Sequence, residues 1–187
     1  MEISLRQPNA YLNSMKQFIK FGVVGGSGVL VNMAVLVVVR RIFADIFGIA
    51  TTDPFLNILG SPFHIRWYHI MVTLAFLGAN TWNYQLNRMW TFRGARQRTW
   101  LRGFFPFLLT GLGAFAVTLL VTTALVNVES PVALPPEIFD DSTGLRNRVY
   151  WANMISIVVA MPINFLVNKV WTFRGHRVIS STEPTKV

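Results

Sequence analysis

Two copies of one polar and basic motif hold the residues of this chain that are best suited to bind an anion. The motif has the form N-x-x-x-N-[RK]-x-W-T-F-R-G and occupies residues 83–94 and 164–175. Eight of its twelve positions are shared when Arg and Lys are counted together. Each copy lies where an apolar run ends and a basic stretch begins. A motif duplicated at a membrane boundary indicates a repeated unit that builds one site from two halves.

Basic side chains occupy equivalent positions in the two copies. Arg88 matches Lys169, and Arg93 matches Arg174. At the depth of lipid phosphates such groups can bind phosphate, Arg through two parallel N–H bonds. The alternative is that they reach the membrane surface and only set topology. That alternative is stronger for Arg93 and Arg174, which follow the Trp and Phe of the motif, than for the inner pair.

Carboxamides form the polar part of each copy. Asn83 and Asn87 are four residues apart, as are Asn164 and Asn168, and Asn80 extends the first stripe. On a helix each pair shares one face. Carboxamides are costly in hydrocarbon without partners, so both stripes are expected to face the helix bundle. They either join helix to helix or line a polar groove at the cytoplasmic leaflet, and the two roles are compatible.

The first apolar run contributes two further candidates. Lys20 lies near its start, and Asn32 lies deeper, near the middle of the membrane. Asn32 either bonds across the bundle, which is the favoured interpretation, or contacts a head group. The same run is rich in glycine, and Gly22 with Gly26, or Gly25 with Ala34, predicts close approach of a neighbouring helix. The candidate lipid-phosphate and substrate-binding residues are therefore Lys20, Asn32, Asn83, Asn87, Arg88, Arg93, Asn164, Asn168, Lys169 and Arg174.

The composition is that of a membrane protein. Of 187 residues, 52% are hydrophobic and only 13% are charged, which is too apolar for an ordinary soluble domain. The net charge is +9, and the basic residues cluster just beyond the apolar segments. Lipid head groups and membrane topology require basic residues at such positions, so no nucleic-acid partner is expected. The chain has no cysteine, which excludes disulfides and thiolate chemistry.

Four apolar segments reach the length of about 20 residues that a membrane span needs. Twelve of the Lys and Arg residues lie in the N-terminal tail, the 88–102 connection and the C-terminal tail, against five in the other two loops. This asymmetry places both termini and both motifs in the cytoplasm. The spans are predicted at about residues 17–39, 67–90, 103–126 and 150–171.

The first halves of the two units also match. Residues 18–25 and 104–111 share the pattern F-x-x-F-x-x-x-G. Two spans return the chain to its starting side, so the repeats are parallel. The sequence therefore predicts an all-α membrane protein whose four transmembrane helices form two parallel two-helix repeats. Its organisation is a cytoplasmic tail (1–16), one transmembrane domain (17–175) and a second cytoplasmic tail (176–187).

The segments outside the spans carry no assigned chemistry. Residues 41–66 are interpreted either as a short helix on the outer membrane interface or as an irregular loop. No predicted span contains Asp or Glu, and no nucleophile–base pair or metal cluster is evident in the sequence. The chain is therefore expected to be neither an enzyme nor a carrier of a cofactor or metal. Pro162 is expected to kink the fourth span beside Asn164.

The motifs and the four-span plan resemble the GtrA-like family. The resemblance covers about residues 18–175 and depends mainly on the N-x-x-x-N-[RK]-x-W-T-F-R endings and the F-x-x-F-x-x-x-G opening. It implies a multi-pass protein of the bacterial inner membrane that acts in surface polysaccharide synthesis. The implied ligand is a polyprenyl phosphate or a polyprenyl-phosphate-linked monosaccharide, which fits the basic residues at phosphate depth.

Three functions remain open from the sequence. The leading one is translocation, or flipping, of a polyprenyl-phosphate-linked sugar or of its carrier. The alternative is a non-transporting accessory subunit that recruits a membrane glycosyltransferase. A small-solute exporter is the least favoured, because the predicted spans lack carboxylates. Four helices can barely enclose a long lipid, so a homo-oligomer is also expected, with the glycine-rich faces as candidate contacts.

Overall fold

The computed structural model describes the backbone of residues 8–91 and 99–174, and the side chains of residues 19–20, 22–90 and 99–162. Helix dominates these residues. The four long helices are α1 (Pro8–Arg41), α2 (Trp67–Leu86), α3 (Trp100–Val126) and α4 (Arg148–Arg174). Two of them continue without a break into π-helical turns, α1 into Ile42–Ile46 and α2 into Asn87–Thr91. A single 3₁₀ turn within the described ranges, Gly144–Arg146, precedes α4.

Side chains fix where two of these helices begin. At the start of α2 the Arg66 backbone N–H donates to His69 Nδ1 at 3.0 Å, a bond from the cap residue to the third helical position. Before α4 the Asn147 Oδ1 accepts from the Tyr150 backbone N–H at 3.0 Å. Asn is a strongly preferred N-cap, because its side chain accepts a hydrogen bond from an N–H that has no partner within the helix.

A two-stranded antiparallel sheet follows α1, and the sequence did not predict it. Strands β1 (Pro54–Asn57) and β2 (His64–Arg66) pair with an irregular register. Asn57 closes the turn between them, since its Oδ1 accepts from Gly60 N–H at 2.6 Å and its Nδ2 donates to the Ser61 carbonyl at 2.8 Å. Residues 41–66, for which an interfacial helix and an irregular loop were both considered, therefore contain the short π-helical turn Ile42–Ile46 followed by this hairpin, and the fold is not purely helical.

The helices run alternately up and down. Their most extensive contacts join α1 to α2 and α3 to α4, with a smaller contact between α2 and α3 and another between α1 and α4. One end of the bundle, here called the motif end, holds the start of α1, the end of α2, the start of α3 and the end of α4. The opposite end, here called the hairpin end, holds the β-hairpin and the loop between α3 and α4.

The apolar core lies toward the hairpin end. It is built from fully or almost fully buried side chains of all four helices: Leu36, Tyr68, Met71, Val72, Ala75, Val126, Val149, Tyr150 and Ala152. Large apolar residues elsewhere remain exposed, including Leu30, Leu109 and Leu120. Exposed leucines on long apolar helices are what contact with lipid requires.

Glycine permits close helix contact at positions other than those predicted. A side chain at Gly28 would collide with the Asn83 carboxamide, and one at Gly103 would collide with the Tyr84 hydroxyl. By contrast, no atom lies within 4 Å of the position that a Cβ would take at Gly22 or Gly26. Within the described part of the bundle no helix packs on these two residues, and their contact with a helix of another chain stays a prediction. Their face of α1 is open.

Two of the long helices have both the length and the hydropathy of a membrane span within the described residues: Gly22–Ile46 and Trp100–Val126. At 25 and 27 residues each exceeds the roughly 20 residues that a hydrocarbon core about 30 Å thick requires. Both ranges overlap spans predicted from the sequence. Pro162 lies inside α4, which continues as helix to Arg174, and the expected kink stays a prediction.

Candidate anion-binding site at the motif end

A stripe of three asparagines on the last turns of α2 enters the bundle at the motif end. Asn80 and Asn87 are 7% and 4% exposed, and Asn83 between them is half-buried. Spacings of three and four residues put all three on one side of the helix. The burial that the sequence pattern predicted for this stripe is therefore present. Sequence alone could not say which neighbouring helices the amides contact.

Each of these carboxamides leaves a buried atom without a hydrogen-bond partner. The unpartnered atoms are Asn80 Nδ2, Asn83 Oδ1 and Asn87 Oδ1. A buried polar atom that makes no hydrogen bond costs about 1–3 kcal/mol. Helix-to-helix hydrogen bonding among the described side chains, which was one of the two roles considered for the stripe, does not satisfy these atoms. A ligand that offers both donors and acceptors would.

Asn80 and Asn83, the two amides farther along the bundle from the motif end, contact different helices. Asn83 packs directly on the backbone of α1 at Gly28. Asn80 faces α3, where its Oδ1 lies 3.2 Å from the position that a Cβ would take at Gly111. A Cβ at Gly28 would overlap the Asn83 amide and force it to move, whereas a Cβ at Gly111 would require the Asn80 amide to shift by only a few tenths of an ångström. The polar stripe thus lies in a three-helix junction of α1, α2 and α3.

Arg88 is directed toward α3 by a tyrosine. Its Nη1 donates to the Tyr84 hydroxyl at 3.2 Å, and that hydroxyl donates to the Trp100 carbonyl at 2.8 Å. The buried Tyr84 ring packs edge-on against Trp100 and Phe104, with ring centroids 5.2 and 5.5 Å apart. Arg88 also lies on the π-helical turn Asn87–Thr91, and such turns inside helices are frequent at functional sites.

Lys20 approaches the same end from α1. Its Nζ lies 5.5 Å from the centroid of the Trp90 ring, within the range of a cation–π contact. A second bond in this region joins α2 to α1, since Trp82 Nε1 donates to Ser27 Oγ at 3.0 Å. The end of α2 therefore has a cation on each side. Lys20 contacts the Trp90 ring on the side of α1, and the Tyr84 hydroxyl directs Arg88 toward α3.

The comparison with known families decides what kind of protein this is. The model of the GtrA/DPMS transmembrane domain matches residues 20–137 and 142–183. The chain belongs to the GtrA/DPMS transmembrane domain family. No curated protein matches the chain. No solved structure matches it either. With its two long apolar helices, membership of this family identifies the chain as a membrane protein.

The matched region contains both copies of the motif and Lys20. The structure brings Asn83, Asn87, Arg88 and Lys20 to the motif end. It places the backbone of the second copy on the last turns of α4, while the side chains of these residues lie outside those described: Asn164, Asn168, Lys169 and Arg174. Arg93 lies outside the described residues altogether.

Asn32 does not join the motif-end site. Its Oδ1 accepts from Asn153 Nδ2 at 2.7 Å, and both residues are buried. It lies twelve residues after Lys20, about 18 Å along α1 at 1.5 Å per residue. Of the two roles considered for it, the bond across the bundle is the one present. The partner, Asn153, was not a sequence candidate, because it stands alone on its helix outside the repeated motif.

Other contributors to the candidate site at the motif end were missed by sequence reasoning. Tyr84 positions Arg88, Gly28 makes room for Asn83, and Ser27 accepts from Trp82. The spacing of Tyr84, four residues before Arg88, could have suggested a contact on one helix face. Nothing in the sequence singles out Gly28 among four glycines within seven residues of α1.

Proposed function

We propose that the protein binds a polyprenyl-phosphate-linked monosaccharide at the motif end and moves it, or its polyprenyl phosphate carrier, across the bacterial inner membrane. The family supports a membrane function related to sugar-bearing lipids. The observation that carries the proposal is the set of three buried, unpartnered carboxamide atoms at an end that also holds Lys20 and Arg88.

A sugar phosphate matches this set chemically. Phosphate oxygens only accept hydrogen bonds, so they suit Arg88, Lys20 and the unpartnered Asn80 Nδ2. Sugar hydroxyls both donate and accept, so they suit the unpartnered oxygens of Asn83 and Asn87. A bare phosphate would leave those two oxygens without donors. The stripe therefore supports a lipid that carries both groups.

The second motif copy completes the proposed site. Lys169 and Arg174 lie on the final turns of α4, which end at the same end of the bundle as Arg88. In the proposed topology all four helices span the membrane as two helix pairs, with both termini cytoplasmic. The contacts between α1 and α2 and between α3 and α4, which are the most extensive, support this pairing.

Translocation by the full-length chain in liposomes tests the proposal. The probe is a fluorescent prenyl-phosphate monosaccharide, and a membrane-impermeant quencher reports how much of it lies in the outer leaflet. We expect the Arg88→Ala, Lys169→Ala double variant to lose at least about tenfold in rate, since each Arg or Lys contributes a charged hydrogen bond to phosphate. Arg66→Ala removes an exposed positive charge at the hairpin end and serves as control. Equal rates for the double variant and the control would reject the motif-end site.

An accessory role is the second candidate. The glycine face of α1 at Gly22, Gly25 and Gly26 is open, and such a face favours contact with another helix in a membrane. This supports either a homo-oligomer or a complex with a membrane glycosyltransferase. No translocation by the chain alone, followed by lipid-dependent stimulation of a co-reconstituted glycosyltransferase, would favour the accessory function.

A further inference from the structure

A cationic cleft lies at the hairpin end, far from the motifs. It has a volume of about 350 Å³ and lies between α1 and α4, with the turn before α4 closing one side. Met33, Val37 and Met154 line its apolar part, and Arg40 and Arg41 line its outer end. Met154 is 38% exposed, so the cleft opens on the surface that faces lipid.

Arg40 has a donor that the protein does not use. Its Nε is buried and has no hydrogen-bond partner. The guanidinium carbon lies over the Tyr150 ring, 5.4 Å from its centroid, which is within the range of a cation–π contact. This contact holds Arg40 in place and leaves its Nε–H without an acceptor.

The acidic residues near this end do not neutralise the cleft. Asp140 pairs with Arg146 at 3.1 Å, and Asp141 accepts from Asn147 at 2.5 Å and from the Arg148 backbone N–H at 3.1 Å. Within the described ranges, the ion pair between Arg146 and Asp140 is the one that forms. No acidic residue lines the cleft, and among the described residues neither Arg40 nor Arg41 forms an ion pair with a carboxylate, so the lining of the cleft carries net positive charge.

The cleft and the motif end lie at opposite surfaces of the membrane. Arg40 follows Lys20 by 20 residues on the same helix, which is about 30 Å at 1.5 Å per residue. That length equals the hydrocarbon thickness of a typical bilayer, about 30 Å. An anionic group held by Arg40 would therefore lie at the level of the opposite head groups.

We propose that this cleft is a second site for a single-chain lipid phosphate, at the membrane surface opposite the motifs. The Arg40 N–H groups donate to the phosphate oxygens, Arg41 adds charge at the rim, and the first units of the chain lie along Met33, Val37 and Met154. The volume is at the lower end of the usual range for small-molecule sites, about 300–1,000 Å³. It suits a head group and the start of a chain. The choice of a prenyl phosphate as the occupant depends on the proposed function.

Photolabelling of the full-length protein in nanodiscs of neutral phosphatidylcholine tests this site. The probe is a long-chain prenyl phosphate with a photoreactive group next to the phosphate, and mass spectrometry locates the label. We expect label on peptides from residues 33–41 and 144–154. Arg40→Gln removes the charge, and Val37→Trp fills the apolar part without changing charge. Each is expected to reduce this labelling about tenfold, the effect of one charged hydrogen bond or of a blocked chain path.

Matched controls isolate the two effects. Arg66→Gln removes an exposed arginine at the same end, and Val38→Trp adds the same ring at an exposed neighbouring position that does not line the cleft. Both are expected to label like the wild type. Equal labelling of Arg40→Gln, Val37→Trp and the wild type would overturn the site. Loss in Arg40→Gln alone, with melting unchanged and Val37→Trp labelled normally, would also overturn it, because the chain would then not occupy the cleft.

Competition identifies the occupant. Unlabelled prenyl phosphate should displace the probe, whereas the same concentration of inorganic phosphate or phosphatidylglycerol should not. Displacement by inorganic phosphate would show a free-anion site, and displacement by phosphatidylglycerol would show a general anionic-lipid surface; either result contradicts the proposal.

The Arg88→Ala, Lys169→Ala variant distinguishes the cleft site from the proposed function at the motif end. That variant should lose label at the motif end and keep it in the cleft. If translocation fails while the cleft is labelled, only the proposed function falls.

Discussion

The two ends of the bundle differ in whether their buried amide and hydroxyl side chains bond to one another. Toward the hairpin end the polar groups between helices bond to one another, and three such pairs join the helices: Asn32 with Asn153 at 2.7 Å, Thr122 with Ser156 at 2.7 Å, and His69 with Thr123 at 3.1 Å. Among the amide and hydroxyl groups of these pairs one oxygen, Asn153 Oδ1, is left over, and the Nε atoms of Arg40 and Arg148 also lack a partner at this end. At the motif end, Asn80, Asn83 and Asn87 each leave an atom unpartnered.

Asparagine therefore has two roles in this membrane domain. A bonded pair of asparagines fixes the position of one helix against another. Buried amides without partners lower stability, by about 1–3 kcal/mol each, and such a cost is expected where a ligand supplies the missing partners. The bonded amide and hydroxyl pairs toward the hairpin end therefore hold helices together, whereas the amides at the motif end are available for binding.

Replacing the motif-end amides gives the largest expected effect. Asn83→Leu combined with Asn87→Leu should leave the unfolding free energy unchanged or raise it, because two unpartnered buried oxygens disappear. Binding of a prenyl-phosphate sugar should weaken about tenfold or more, and binding of bare prenyl phosphate should weaken less. Calorimetric titration in detergent measures both. Equal losses for the two lipids would show that these oxygens do not contact the sugar.

Breaking the hairpin-end pair should have the reverse effect. Asn153→Ala removes the donor to Asn32 and should lower the unfolding free energy by about 1 kcal/mol, in line with hydrogen bonds between helices in membranes. Lipid binding at the motif end should not change. A double-mutant cycle with Asn32→Ala checks the assignment, since the coupling energy belongs to this bond alone. A coupling energy close to zero would show that the bond between Asn32 and Asn153 does not hold the two helices together.

The tyrosine that holds Arg88 allows a subtler test of the motif end. Tyr84→Phe keeps the ring contacts and removes the hydroxyl that joins Arg88 to the Trp100 carbonyl. A neutral hydrogen bond contributes about 0.5–1.5 kcal/mol, so lipid affinity should fall about fivefold through looser positioning of Arg88. Raising the salt concentration should weaken binding by the same factor in this variant and the wild type, because the charge remains. A changed salt dependence would mean that the hydroxyl contacts the ligand itself.

Part of this molecule could be predicted from the sequence, and the rest could not. Long apolar segments and the asparagine spacing predicted where helices lie and which face of α2 turns inward, because both follow from local periodicity. The pairing of Asn32 with Asn153 joins residues 121 positions apart, and no local pattern contains it. The hairpin was missed because its strands have only four and three residues, which is too short for a strand periodicity to be recognised in the sequence.

Two glycines of α1 give the smallest expected effect and the sharpest comparison. Gly26→Ala adds a methyl group in open space, so it should stabilise α1 by up to about 1 kcal/mol through helix propensity and leave lipid binding unchanged. Gly28→Ala makes the same change where the Asn83 carboxamide lies. The amide can rotate away, so the helix gain should be largely cancelled, and binding should fall about threefold as the amide leaves its place. Thermal unfolding and lipid titration of the two variants side by side measure the difference. Equal binding by both variants would show that Asn83 does not contact the ligand. Weaker binding by Gly26→Ala would show that the ligand binds on the open face of α1.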